Sequence, residues 1–168
     1  MADPVVEVAT NFGTFVIQLD QARAPKSVAS FLAYVDAKHY DNTIFHRIIP
    51  TFMVQGGGYD MNYEKKRTLA PIENEADNGL KNTRGTVAMA RTSDPHSATA
   101  QWFVNVVDNA FLDHTGKDDR GWGYAVFGKV TDGMEVVDKI KAVKTGANGP
   151  FAKDAPDDLV VIKHVRRR

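Results

Sequence analysis

Ile44-Phe45-His46-Arg47-Ile48-Ile49-Pro50-Thr51-Phe52-Met53-Val54-Gln55-Gly56-Gly57-Gly58 sets a cation and an amide inside two otherwise apolar runs. Ile44 to Ile49 and Phe52 to Gln55 have the β-branched and aromatic content of strands, a Pro-containing corner joins them, and three glycines then free the backbone. Strict alternation puts Phe45, Arg47 and Ile49 on one face and Ile44, His46 and Ile48 on the other. Arg47 therefore stands among apolar neighbours, where an unpaired cation is uncommon. Phe52 adds an aromatic face, Met53 an adaptable thioether and Gln55 a donor with an acceptor. Such a set suits a shallow apolar pocket with a cation at its lip.

Outward from this stretch the pattern stays β-rich. Val5 to Ala9 and Thr14 to Leu19 read as a hairpin about Asn11-Phe12-Gly13. Pro25 opens a helix whose Val28, Phe31, Leu32 and Val35 share one face. Tyr59 to Gly85 has turn formers and little periodicity, so we expect a surface loop walling one side of a groove. Thr86 to Ala90, Gln101 to Val107 and Tyr124 to Val130 are strand-like, with a polar loop over Arg91 to Ala100. Asp132 and Glu135 form a capping signal for a second helix through Val136, Val137, Ile140 and Val143. Thr145 to Asp158 reads as a connection, and Leu159 to Val165 as a strand returning beside the first. Periodicity alone gives a β-rich α+β fold.

The 168 residues suit a single domain spanning 1–168. Lys and Arg number 21, as do Asp and Glu, so no global field steers the chain toward nucleic acid or an anionic membrane. No cysteine is present, which removes disulfides and thiolate metal sites. No apolar run approaches the roughly 20 residues of a membrane span, and Met1-Ala2-Asp3-Pro4 opens no signal peptide. A soluble, cytoplasmic monomer is the expectation.

Phe45-His46-Arg47 followed by Phe52-Met53-Val54-Gln55-Gly56-Gly57, with Gln101-Trp102-Phe103 and Val126-Phe127-Gly128 in order downstream, resembles the signature of cyclophilin-type peptidyl-prolyl cis-trans isomerases. The likeness runs from about Val5 to Val165, and the loop Arg91 to Ala100 is more similar to bacterial members than to eukaryotic ones. It implies a closed eight-stranded antiparallel β-barrel capped by two α-helices. It also implies binding of proline-containing peptides and of folded or unfolded protein clients, with no cofactor. Carried across by position, it implies that Phe52, Met53, Phe103, Phe111, Leu112 and Tyr124 wall the proline ring. Gln55 and Gln101 are then polar groups along the peptide, and Ala90, Arg91 and Thr92 the edge that meets its backbone. Read singly, Phe103 and Leu112 also suit ordinary core, and the two glutamines suit buried amides serving backbone.

Rotation about Xaa-Pro needs no nucleophile; it needs a socket for the ring and a donor to the prolyl nitrogen as that nitrogen pyramidalises. Arg47 is the candidate for this catalytic contact, its guanidinium offering several donors without a pH-tuned step. Phe111 stands where many eukaryotic members have Trp, which removes an indole N–H and implies weak cyclosporin binding. Tyr124 stands where those members have His, Arg91 where Asn is common, and Trp102 where Phe is common, on the core side of its strand. A rival reading keeps the fold as a non-catalytic chaperone or adaptor that only grips proline segments. A metal hydrolase built on His39, His46, His96 and His114 lacks ligand spacing, and His46 reads instead as a core imidazole bonded to backbone. Gly56-Gly57-Gly58 lacks the Lys and Ser/Thr of a phosphate loop, and Arg166-Arg167-Arg168 reads as a solvated tail.

Overall fold

The first two strands, β1 (Val5–Thr10) and β2 (Gly13–Leu19), form the expected antiparallel hairpin, with Val6, Val8, Phe15, Ile17 and Leu19 pointing into the core. The computed structural model describes residues 3–168. Helix α1 (Pro25–Asp36) follows, then β3 (Thr43–Ile49), β4 (Met53–Asp60), β5 (Thr86–Met89), β6 (Trp102–Asn105) and β7 (Val126–Asp132). Helix α2 (Met134–Lys141), β8 (Thr145–Asn148), β9 (Phe151–Pro156) and β10 (Val161–Arg167) complete the chain. Eight strands close a barrel in the order β1-β10-β3-β4-β6-β5-β7-β2, every pairing antiparallel. Closure removes the exposed edges that an open sheet would present. Among the described residues the longest helix has 12 residues, and no helix is long and apolar enough to cross a membrane.

The barrel interior is sealed by large side chains. Trp102 is fully buried and meets Phe31 and Phe45 edge-on, with ring centroids 5.8 and 5.6 Å apart. Phe31 comes from α1, whose apolar face Val28, Phe31, Leu32 and Val35 covers that mouth as its spacing predicts. Gly57 follows from this packing. Its φ is +90°, and a Cβ there would lie 2.9 Å from both Trp102 Nε1 and Tyr40 Cε1, so the turn of chain needs glycine. The N-terminus of α1 is closed from a distance, because the Glu75 carboxylate accepts from Ser27 N at 2.7 Å and Ser27 Oγ at 2.8 Å. That acid satisfies orphan amides and complements the helix dipole, and it fixes the long connection after β4 against the barrel.

Four expectations change. A bulge in β3 sets Phe45 opposite Gly56 but Arg47 opposite Gln55, so two residues of β3 answer one of β4. Strict alternation therefore fails at His46: Phe45 and Ile48 point inward, while Arg47 emerges on the outer face. The segment read as a connection after α2 contains the hairpin β8–β9, whose Phe151 stacks on His46 with ring centroids 5.2 Å apart. Asp132 ends β7 rather than capping α2; the cap is Gly133 at φ 82°, with no side-chain bond. The terminal arginines are paired, Arg166 with Asp41, Arg167 with Asp36 and Arg168 with Glu7.

Candidate functional site

Period-two alternation gives β4, β5 and β6 two apolar faces. Val54, Val87, Met89, Trp102 and Val104 fill the barrel, while Met53, Ala88 and Phe103 lie on its outer surface. Leu112, Val126 and Ala90 join this outer cluster, and Ile49, Phe52, Leu80 and Tyr124 pack at its margin. A hollow of about 100 Å³ opens there, lined by Arg47, Phe52, Met53, Gln55, Ala90, Arg91, Phe103, Leu112 and Tyr124. Its size suits one small ring rather than a drug-sized ligand. A larger hollow of about 420 Å³ lies elsewhere, between Gln18, Lys81 and Lys129, and carries no aromatic lining.

Nine of the twelve residues singled out in the sequence thus border one hollow. Thr92 and Gln101 border an adjoining one of about 150 Å³, with Gln55, Ala90 and Arg91 forming a shared wall. Phe111 lines neither; it is 75% exposed on a 3-10 turn, Ala110–Leu112, and leans on Phe52 at 5.5 Å between centroids. Phe103 and Leu112 are 3% and 6% exposed, yet they belong to the outer cluster and not to the barrel interior.

The Arg47 guanidinium carbon lies 5.9 Å from the centre of the Phe52 ring. Among the described residues it has no ion-pair or side-chain hydrogen-bond partner, and its strand register places it across from Gln55. Gln55 Nε2 donates to Gln101 Oε1 at 2.9 Å, so the two amides share one orientation. A Cβ at position 58 would stand 2.4 Å from Gln101 Nε2, so Gly58 leaves the space in which that amide lies. Arg91 is held firmly: Nε donates to Gly123 O at 3.0 Å, Nη1 to Thr92 O at 2.8 Å, and its guanidinium covers the Tyr124 ring at 4.5 Å.

His46 does not make the expected backbone bond. Its Nδ1 is buried without a partner, and the ring forms a three-ring cluster with Tyr59 and Phe151, all three centroids within 4.7–5.2 Å of one another. Burial, and then the nearby Arg47 charge, depress its pKa to about 4. The imidazole beside the site is therefore neutral near pH 7.

A buried amide ladder behind the hollow was not singled out from sequence. Asn109 Nδ2 donates to Phe52 O at 3.0 Å and to Asn105 Oδ1 at 2.8 Å. Asn105 Nδ2 donates to Asn82 Oδ1 at 3.0 Å, and Asn82 Nδ2 reaches Leu112 O at 3.3 Å and Tyr124 O at 3.2 Å. Three wall residues on separate segments are thus tied through their carbonyls. The available signal was Asn105 at the end of an apolar strand, where Asn is disfavoured unless its amide is used. Asn109→Ala is expected to cost about 2 kcal/mol in urea unfolding, since it leaves Asn105 Oδ1 short of a buried donor.

The chain matches the cyclophilin type peptidyl-prolyl cis-trans isomerase/CLD family over residues 5–167. It is 60% identical to a peptidyl-prolyl cis-trans isomerase of Streptomyces antibioticus across 96% of each chain. It is 55% identical to peptidyl-prolyl cis-trans isomerase B of Escherichia coli, covering 96% of this chain and 98% of that one. A crystal structure of a Cryptosporidium parvum cyclophilin type peptidyl-prolyl cis-trans isomerase superposes with a TM-score of 0.79 at 26% identity, covering 99% and 98% of the two chains. A second crystal structure of that protein, obtained in the presence of the dipeptide Ala-Pro, gives 0.78 at 26% identity over 98% of each chain. With the eight-stranded barrel, these likenesses establish that the chain belongs to the cyclophilin-type peptidyl-prolyl cis-trans isomerases.

Proposed function

We propose that the outer hollow receives a proline ring and that Arg47 accelerates rotation of the preceding peptide bond. The barrier to that rotation, about 18–20 kcal/mol, comes from conjugation of the amide nitrogen with the carbonyl. At the twisted geometry the nitrogen lone pair is released and accepts a hydrogen bond that the planar ground state refuses. A guanidinium N–H placed there binds the transition state in preference to the substrate. Phe52, Met53, Phe103, Leu112 and Tyr124 hold the ring, and Gln55 with Gln101 supplies polar contacts along the peptide. The edge Ala90, Arg91 and Thr92 offers backbone groups to the substrate chain. Proline-containing segments of folded or unfolded clients are the substrates, and neither electrons nor protons are consumed. The observation that carries this reading is the Arg47 guanidinium at a hollow walled by Phe52, Met53, Phe103, Leu112 and Tyr124, with no carboxylate in its lining.

Exchange rates of an Xaa-Pro peptide, measured with wild type and Arg47→Ala, test it. Equal acceleration by both proteins would remove Arg47 from the mechanism. No acceleration by wild type would favour the non-catalytic chaperone or adaptor.

Phe111 gives a second measurable consequence. It presents an exposed ring with no N–H, so cyclosporin binding is expected to be weak. Phe111→Trp should tighten it by about 3- to 10-fold in calorimetric titration, the worth of one added hydrogen bond. Unchanged affinity would separate this position from the ligand.

A further inference from the structure

The hollow adjoining the one proposed for the ring is bordered by Lys65, Lys66 and Arg91, and by no carboxylate. Arg47 and Arg91 border the ring hollow, again with no carboxylate. In a chain whose charges balance at 21 against 21, four cations along one groove are a local segregation of charge. Four arginines elsewhere, Arg84, Arg166, Arg167 and Arg168, each hold an acid at 2.7–2.8 Å, while Arg23, Arg67 and Arg120 have no ion pair among the described residues.

The groove cations differ from the four that are paired. Arg91 donates to the carbonyls of Gly123 and Thr92, and Lys66 Nζ to the carbonyl of His39. Carbonyl partners fix these side chains in place without cancelling their charge. Among the described residues Arg47 and Lys65 make no ion pair at all. Glu64 and Asp94, the acids nearest in sequence to Lys65 and Arg91, border neither hollow. Opposite charge in a concave, partly desolvated surface is worth more than on an open one, because field lines are focused and screening is reduced.

We propose that the groove selects client segments carrying an Asp or Glu side chain close to the proline, its carboxylate seated among Lys65, Lys66 and Arg91. The two hollows share a wall one side chain thick, a span that about two to three residues of extended peptide cover. Thr68 and Thr99 border the same hollow and add hydroxyl donors. This selectivity rests on the isomerase reading above.

The test uses alanine-rich peptides with one proline and a single Glu, or its neutral isostere Gln, at each of the three positions before and after it. Exchange spectroscopy gives kcat/KM at about 20 and about 300 mM salt, on either side of the range where screening reaches groove dimensions. The Glu peptide is expected to exceed its Gln counterpart about tenfold at one or two positions in low salt, falling to about twofold in high salt. Lys65→Glu should abolish that preference, whereas Lys139→Glu, the same charge change at a residue lining neither hollow, should keep it. Equal rates for Glu and Gln at all six positions, or a preference lost equally in both variants, would overturn the proposal. Failure of the wild type to accelerate the Gln peptides would overturn the isomerase reading instead.

Discussion

Arg47→Ala is expected to lower kcat/KM for Xaa-Pro isomerisation by about 10²–10³ while leaving the urea midpoint unchanged. The activity loss follows from removing a donor that acts at the twisted geometry, worth about 3–4 kcal/mol where such contacts have been deleted in other enzymes. The unchanged stability follows from the structure: the side chain is exposed and, among the described residues, makes no hydrogen bond or ion pair, so truncation strands no buried partner. The two measurements together separate a catalytic from a structural arginine. Arg47→Lys refines the result, because it keeps the charge but replaces a planar fork with a compact ammonium on a differently shaped stem. A Lys variant as active as wild type would show that the field of a cation suffices, and the directed hydrogen bond would then have to be given up. An Ala variant that loses stability in step with activity would assign Arg47 to the fold.

The sequence was most informative where local chemistry and tertiary demand coincide. The first hairpin and the helix opening at Pro25 follow from turn residues and apolar spacing, which act over a few residues. The outer cluster was half legible: Met53 and Phe103 were visible as apolar residues, but alternation alone could not say that their face of the barrel is the outside. Features set by distant partners were hidden. The bulge at His46 exists only in the register between β3 and β4, and it is what brings Arg47 round to Gln55. The β8–β9 hairpin was obscured by its glycines and prolines, and its packing comes from Phe151 meeting His46 and Tyr59 on strands about a hundred residues earlier. The asparagine ladder and the pairing of the last three arginines likewise join residues far apart in sequence.

His46 supplies the second large effect, on stability against pH. Its folded-state pKa, depressed to about 4 by burial and by Arg47, lies below the ordinary histidine value of 6.5. The unfolded chain therefore takes up a proton as pH falls through 6.5, while the folded protein refuses one until about 4. Stability should be flat above pH 6.5 and decline below it, by about 3 kcal/mol in all across the window. His39, also lowered mainly by burial, contributes in the same direction. The acids held low by arginine, Asp36 by Arg167, Asp41 by Arg166 and Asp138 by Arg84, contribute stability that is present above the ordinary carboxylate range and lost beneath it. They act at the acid end, so the difference between wild type and a His46 variant isolates the imidazole. His46→Phe keeps an aromatic ring packed against both Tyr59 and Phe151 and removes a buried nitrogen that lacks a partner. Urea unfolding at pH 7.5 and 4.5 should show the variant losing less, with the gap approaching 3 kcal/mol on the acid side. Parallel decline of the two proteins would mean that the folded state accepts the proton as readily as the unfolded chain, which the apolar surroundings of this ring forbid only if the β8–β9 hairpin stays in place. A wild type that loses the hairpin first would reveal this by exposing Phe151 before global unfolding.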